Sequence, residues 1–329
     1  MAGSQDTATA SASAAVGPSA GLDSSRFAIL MATYNGGPYL ESQLASLRDQ
    51  SVSSIDIWVS DDGSSDGSLE ILIKFAASWT KGRFEIISGP GAGFADNFRS
   101  LLTNPDIDAD YVAFCDQDDV WQADKLEAAR DWLAGQPQET PSLYCSRTQL
   151  IDETGRPVGF SPEFSAPPAL RNALVQSIAG GNTMVFNRAA HQLLSQAARR
   201  CPFLTHDWWS YLFVTAAGGT VHYSPQARIG YRQHGENIIG SSNSWIDRVG
   251  RLDLVLRGRF ARWTDMNLAA LEAGADLLTP EARSLVVQMR QMRSENLVCR
   301  VRAMRKMGLH RQTWLGQISL YAACLLNRL

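Results

Sequence analysis

Three carboxylates, Asp116, Asp118 and Asp119, fall within the string DYVAFCDQDDVW at residues 110–121. The apolar run before them, Tyr111 to Cys115, suits a buried parallel strand. The acids would then emerge at the carboxyl end of that strand, where open α/β sheets bind ligands. Unneutralised acids this close repel one another, so the arrangement calls for a divalent cation. Mg²⁺ or Mn²⁺ prefers oxygen donors and commonly joins one or two carboxylates to substrate phosphates. A surface turn opening a helix, with Asp119 near its N-cap, is the competing reading of the same residues.

The segments that must position these acids are legible around them. Residues 27–33, FAILMAT, read as a strand that ends in Tyr34-Asn35-Gly36-Gly37-Pro38, with Pro38 in the first turn of a helix. Residues 55–60, IDIWVS, read as a second strand, followed by the polar string Asp61 to Ser68 and a helix from Leu69. Residues 84–88, FEIIS, read as a third, leading through Gly91-Ala92-Gly93 into a helix that contains Asn97. Polar and glycine-rich residues thus follow each of four strands and would line one rim of a parallel sheet. Four such clusters on one rim favour a binding site over ordinary loops. A dinucleotide site does not fit, because Gly91 and Gly93 lack the third glycine of that fingerprint.

Composition bounds the rest. The chain has 329 residues, 45% of them hydrophobic, which is ample for a core and more than one structural unit. A net charge of −3 argues against general nucleic-acid binding. The charge is uneven: from Ser244 onward fourteen Lys/Arg face seven Asp/Glu, leaving −10 on the remainder. The five cysteines are scattered with no CxxC pair, so neither zinc nor a disulfide framework is indicated, and a reducing cytoplasm fits. Residues 1–25 are rich in Ala, Ser and Gly and read as a disordered extension, not a secretory signal. No stretch reaches the roughly 20 apolar residues of a spanning helix. A boundary is expected near residues 240–245, with an almost wholly helical region, 241–329, beyond it. There Arg283 to Arg311 interleave with an apolar stripe, which predicts either a helical cap or a contact with an anionic membrane surface or another subunit.

The set ILMATYNGGPYLESQLASLRDQ, IWVSDDGSSDGS and FCDQDDVWQADKL resembles family 2 inverting glycosyltransferases of the GT-A fold. Thr205-His206-Asp207-Trp208-Trp209 and Tyr231-Arg232-Gln233-His234-Gly235 are similar to the rhamnosyltransferase-like branch. The resemblance covers roughly residues 26–240. It implies a mixed Rossmann-like sheet flanked by helices and a nucleoside-diphosphate sugar donor. It points first to L-rhamnose carried on dTDP, with UDP sugars as the other pyrimidine class. It implies a glycan or lipid-linked glycan acceptor in the building of a bacterial surface polysaccharide or lipopolysaccharide. The expected place of work is the cytoplasm, including the inner face of its membrane.

Glycosyl transfer needs the leaving diphosphate held, the acceptor hydroxyl deprotonated and the donor oriented. For the first, Asp118 is the expected ligand of Mn²⁺ or Mg²⁺, with Asp116 binding directly or through water, and with His234 as the resemblance implies. Asp119 is expected as a local anchor or sugar contact, and Arg232 to face phosphate. For the second, the resemblance places the base at Asp207. Two adjacent tryptophans there would desolvate it and raise its pKa. The same aspartate could simply cap a helix through Tyr211 to Val214. Where many family members have Glu-Asp, this chain has His206-Asp207, which leaves His206 as base partner, acceptor contact or structure. For the third, Asp62 is expected to accept the N3–H of a pyrimidine, with Thr33, Tyr34 and Asn35 beside base and ribose and Asn97 on the nucleotide or sugar. Gly181, Asn182, His206 and Trp208 fall on the acceptor side.

Two other readings compete. Asp116-Gln117-Asp118-Asp119-Val120 fits the Asp-x-Asp-x-Val of haloacid-dehalogenase phosphatases, but those place it after their first core strand, and the TYN and DDGS segments would go unexplained. A non-catalytic sugar-nucleotide-binding scaffold would not need Asp62, Asp116, Asp118 and Asp207 together.

Overall fold

The computed structural model describes residues 25–234 and 259–329. The expected N-terminal extension, apart from Ser25, and the expected boundary at residues 240–245 lie outside the described residues. Four parallel strands build the frame: β1 (Phe27–Thr33), β2 (Ile55–Asp61), β3 (Phe84–Ser88) and β4 (Tyr111–Cys115). The helices between them are α1 (Gly37–Arg48), α2 (Ser68–Ala76) and α3 (Phe94–Leu102). In β1, Phe27, Ile29 and Met31 point into one core and Ala28 and Leu30 into the other. Helices cover both faces, so the strand is apolar without alternation.

After β4 come β5 (Val120–Trp121), α4 (Lys125–Leu133), β6 (Ser142–Ser146), β7 (Gln149–Ile151) and β8 (Pro157–Phe160). Then follow α5 (Leu170–Ala173), a 3₁₀ turn at Gly181–Thr183, β9 (Val185–Asn187), α6 (Arg188–Ala198), α7 (His206–Ala216), β10 (Thr220–Ser224) and β11 (Ile229–Arg232). The main sheet has seven strands in the order β10-β6-β9-β4-β1-β2-β3. Strand β9 runs antiparallel to β4 and β6, which makes the sheet mixed. A small second sheet, β5-β11-β7-β8, joins the residues after the acidic cluster to Ile229–Arg232.

The region after residue 258 is helical, as expected: α8 (Arg259–Ala273), α9 (Pro280–Ser294), α10 (Leu297–Met307) and α11 (Trp314–Leu325). Its inner face is a cap. Leu285, Met289, Met292 and Met304 of the sequence stripe are buried in the same core as α7. Its arginines divide into kinds the sequence could not separate. Arg290 and Arg293 pair with Asp265, and Arg290 also with Glu272. Arg300 is only 6% exposed and donates to the carbonyls of Cys324 (2.6 Å) and Leu325 (3.3 Å). Those carbonyls end α11, where a cation also meets the negative pole of the helix. Arg311 donates to the Val175 carbonyl at 3.0 Å and lies over the Phe260 ring.

Losing charge-assisted bonds at buried carbonyls costs about 2–3 kcal/mol. Arg300→Met is therefore expected to lower the thermal midpoint by about 5 °C or more. The exposed Arg302→Met should stay within about 1 °C of the parent. Scanning calorimetry of the two variants checks this, and equal shifts would show that Arg300 carries no structural load.

Candidate active site

The strand registers set the carboxyl ends level. Thr33 lies opposite Asp61, Asp61 opposite Ser88, and Met31 opposite Cys115. From β1 the chain proceeds outward through β2 and β3 and then returns to β4 on the other side of β1. That reversal is a topological switch point, where such sheets leave a crevice. Here the crevice is a cavity of about 990 Å³. Thr33, Tyr34, Asp62, Asn97 and Asp116 line its donor-side expectations. Asp118 and His234 line it, as do Gly181, Asn182, His206 and Asp207.

Three expected residues do not line it. Asn35 donates its backbone N–H to Ser64 Oγ and accepts from the Ser65 N–H at its Oδ1, both at 2.9 Å, so it ties the loop after β1 to the loop after β2. Arg232 is 4% exposed, and its guanidinium donates to the carbonyls of Asp118 (2.9 Å), Asp152 (3.2 Å) and Glu153 (2.9 Å). It also donates to Ser42 Oγ at 3.3 Å, and it is not among the residues that line the cavity. Trp208 donates from Nε1 to the Ala173 carbonyl at 2.6 Å and stacks on Phe260. One residue along a helix is about 100° around it, so Asp207 on the cavity side sends Trp208 into the core. The capping readings also change. Thr205, not Asp207, occupies the N-cap of α7, and Asp207 sits in its first turn. Asp119 precedes a strand and is fully buried, accepting from Asn182 Nδ2 and from the Arg232 backbone N–H.

The acids that remain open share one chamber. Burial, with Asp118 and then Asp207 nearby, pushes the Asp116 carboxyl up to about 8. Burial also raises Asp207, against the opposing pull of the Thr205 hydroxyl and the Trp208 N–H. Asp118 Oδ2 lies 2.6 Å from His234 Nε2, and both side chains are less than one-fifth exposed. Among the described residues no Lys or Arg lines the cavity. Neither do three or more His, Cys, Asp or Glu side chains converge as a ready metal cage. Of the expected Asp116, Asp118 and His234, all three line the cavity and the last two are in contact. Such a sparse oxygen-rich donor set does not fit a four-ligand zinc site. It fits a Mg²⁺- or Mn²⁺-type ion, which takes its other ligands from water and phosphate.

Several positioning contacts were invisible in the sequence. Gln117 accepts from the Tyr34 N–H at 2.8 Å and donates to the Tyr34 carbonyl at 3.0 Å, clamping the β4 rim to the β1 rim. Asp61 accepts from Ser64 and Thr33, and Asp66 from Gly37 and Ser68, so those acids hold the loop. Asp62 instead faces the cavity, each carboxylate oxygen accepting one N–H, from Gly91 (2.7 Å) and Gly93 (2.9 Å). Both glycines have positive φ, which lets the loop aim those N–H groups at the acid. A lone pair on each oxygen stays open. Asn97 donates to the Ser60 carbonyl at 2.9 Å while its buried Oδ1 has no protein partner. His206 stacks on Phe98 at 3.9 Å and meets Phe114 edge-on. Both of its nitrogens lack protein partners, and burial lowers its pKa to about 3, so the ring is neutral. The only sequence signal for this slot was the phenylalanine content of α3 and β4.

A mixed α/β sheet with an acidic, cation-seeking cleft at its switch point, capped by helices, defines a nucleotide-sugar-dependent glycosyltransferase of GT-A type. Comparison with known proteins agrees. Residues 28–144 match the family described as glycosyl transferase family 2. The chain is 30% identical to dTDP-rhamnosyl transferase RfbG of Shigella flexneri over 235 residues, 68% of this chain and 78% of that protein. The chain belongs to glycosyl transferase family 2. The fold is similar to S. aureus TarS 1-349 in complex with UDP-GlcNAc, with a TM-score of 0.51 at 15% identity over 92% of this chain and 90% of that one. It is also similar to a second structure of S. aureus TarS 1-349, at a TM-score of 0.52, 15% identity, and 92% and 89% coverage.

Gly181 has no room for a side chain, because a Cβ there would overlap His206 Nε2. Gly181→Ala is expected to force the ring from its aromatic slot, at about 1–3 kcal/mol of overpacking. The thermal midpoint and transfer activity should both fall, and adding His206→Ala should restore the midpoint. A Gly181→Ala protein as stable and active as the parent would refute the packing argument.

Proposed function

We propose that the enzyme moves a sugar from a pyrimidine nucleoside diphosphate to a carbohydrate hydroxyl with inversion. The observation that carries this reading is the charge of the cavity. Asp62, Asp116, Asp118 and Asp207 line it, and among the described residues no Lys or Arg does. Such a chamber suits a diphosphate that arrives with a cation. Asp118 and His234 would hold that ion, with Asp116 reached through water. When bound, Mn²⁺ or Mg²⁺ supplies Lewis-acid stabilisation of the leaving diphosphate.

The chain's own residues do the remainder. Asp62 keeps an open lone pair on each oxygen for a pyrimidine N3–H, and the loop of Gly91 and Gly93 fixes its direction. Tyr34, 58% exposed at the rim, is available to flank the base. Asn97 Oδ1 and the His206 nitrogens lack protein partners, which suits contacts to sugar or acceptor hydroxyls. Phe94, Phe98, Phe164 and Ile178 give the cavity an apolar wall, which suits the methyl group of a 6-deoxyhexose. That wall and the similarity to RfbG support L-rhamnose from dTDP-rhamnose as the first donor to test. Asp207 takes the acceptor proton. Its desolvation raises its basicity, and the neutral His206 beside it adds no charge that would undo this. The acceptor we favour is a glycan or lipid-linked glycan of a bacterial surface polysaccharide or lipopolysaccharide, met on the cytoplasmic side of the membrane.

Chelation by EDTA is expected to abolish transfer, and added Mn²⁺ to restore it. Asp118→Asn should lower turnover by at least about a hundredfold with the thermal midpoint retained. Full turnover in metal-free buffer ends the metal reading.

Asp207→Asn should keep nucleotide-sugar affinity by calorimetry yet lose about 10²- to 10⁴-fold in turnover. The base works only when deprotonated, so the rate should fall as pH drops through its raised pKa. The acid limb should therefore lie above the ordinary carboxylate value of about 4. An Asp207→Asn profile with the same limb and near-parent turnover would place the base elsewhere.

A further inference from the structure

The last two helices carry a face that the described residues leave uncovered. On α11, Trp314 (71% exposed), Ile318 (56%) and Leu325 (51%) lie at helical spacing, with the half-buried Tyr321 between them. No charged residue occurs from Gln312 to Asn327, so the stripe is unbroken. On α10, Val298, Arg302 and Arg305 follow at i, i+4 and i+7 on one exposed side, with Lys306 beside them. Arg305 reaches across to α11, its guanidinium over the Tyr321 ring at 5.8 Å and its Nε 3.3 Å from the Tyr321 hydroxyl. The basic row therefore runs alongside the apolar stripe.

We propose that this face docks on an anionic lipid bilayer surface. Its charge is one-sided: between Asn296 and Leu329 there are six Lys/Arg and no Asp or Glu. Of these, Arg300 and Arg311 are consumed inside the fold, which leaves Arg302, Arg305 and Lys306 on the outer row of α10, and Arg328 after α11, to meet solvent. An apolar stripe flanked by cations complements the boundary between acyl chains and anionic headgroups, where Trp and Tyr also concentrate. A second copy of the chain would set like charges against one another across the same face. No helix among the described residues is long and apolar enough to cross a membrane, so the attachment is to one leaflet.

The test uses the full chain and flotation with two kinds of vesicle, phosphatidylcholine alone and phosphatidylcholine with phosphatidylglycerol. Binding should be about tenfold or more tighter to the anionic vesicles and should weaken at high salt. The triple variant Arg302→Gln, Arg305→Gln, Lys306→Gln should lose that preference. Trp314→Ser with Ile318→Ser should lose binding itself. All of these side chains are exposed, so thermal midpoints should stay near the parent's and confirm folding. Equal binding by the parent and the triple variant would overturn the proposal, as would no preference for anionic vesicles. So would a concentration-dependent dimer in the ultracentrifuge that Trp314→Ser dissolves, since a second copy would then be the occupant.

Discussion

The buried carboxylate of Asp119 is the tie on which the site depends. One oxygen accepts from Asn182 in the 3₁₀ turn before β9, and the other from the backbone of Arg232 at the end of β11. It therefore joins three segments that are far apart in the chain. Its neighbour Asp118 is held in turn by the Arg232 guanidinium on its carbonyl and by His234 on its side chain. Burying a carboxylate is costly unless its lone pairs are met, and here they are met by groups that must be in place for the cavity to exist. Burial still raises its pKa well above the ordinary range, despite the Asn182 and Arg232 hydrogen bonds that pull it down. The tie is thus a point of tension as well as a point of order.

The rim divides its acids by duty. Asp61, Asp66 and Asp119 spend their carboxylates on hydroxyl, amide and backbone donors. Asp62, Asp116, Asp118 and Asp207 are turned to the cavity. The first group shapes loops so that the second group can stand close, with no Lys or Arg of the described residues lining the cavity beside them. Burial, with Asp118 and Asp207 close by, raises the Asp116 carboxyl. Phe94, Phe98 and Phe114 around the His206 ring supply the opposite quality, a dry wall beside the charged one.

The C-terminal helices show the same division among arginines. Those that hold the cap reach buried carbonyls or acids of neighbouring helices, and those of the outer face of α10 point away from them. The apolar stripe read in the sequence splits likewise. Met289, Met292 and Met304 fill the core, whereas Leu297 and Val298 stand in solvent. A single periodic pattern served two surfaces because two helices, α9 and α10, and not one long one, carry it.

Much was legible in the sequence because it was local. Unbroken apolar runs mark strands buried on both faces, and glycine, serine and aspartate mark their ends, so β1 to β4 and the acid-bearing rim could be read directly. The motif series also carried the family. What the sequence could not decide was direction and partnership. Asn35, Arg232 and Trp208 have the right chemistry for a ligand, yet each side chain also meets a group many residues away: the Ser65 N–H, the Glu153 carbonyl and the Ala173 carbonyl. Gln117, sandwiched between acids, gave no hint that it clamps Tyr34. The small sheet that brings His234 against Asp118 pairs strands more than a hundred residues apart. Hydrogen bonds of that span depend on the closed topology of the sheet, and only the folded chain supplies it.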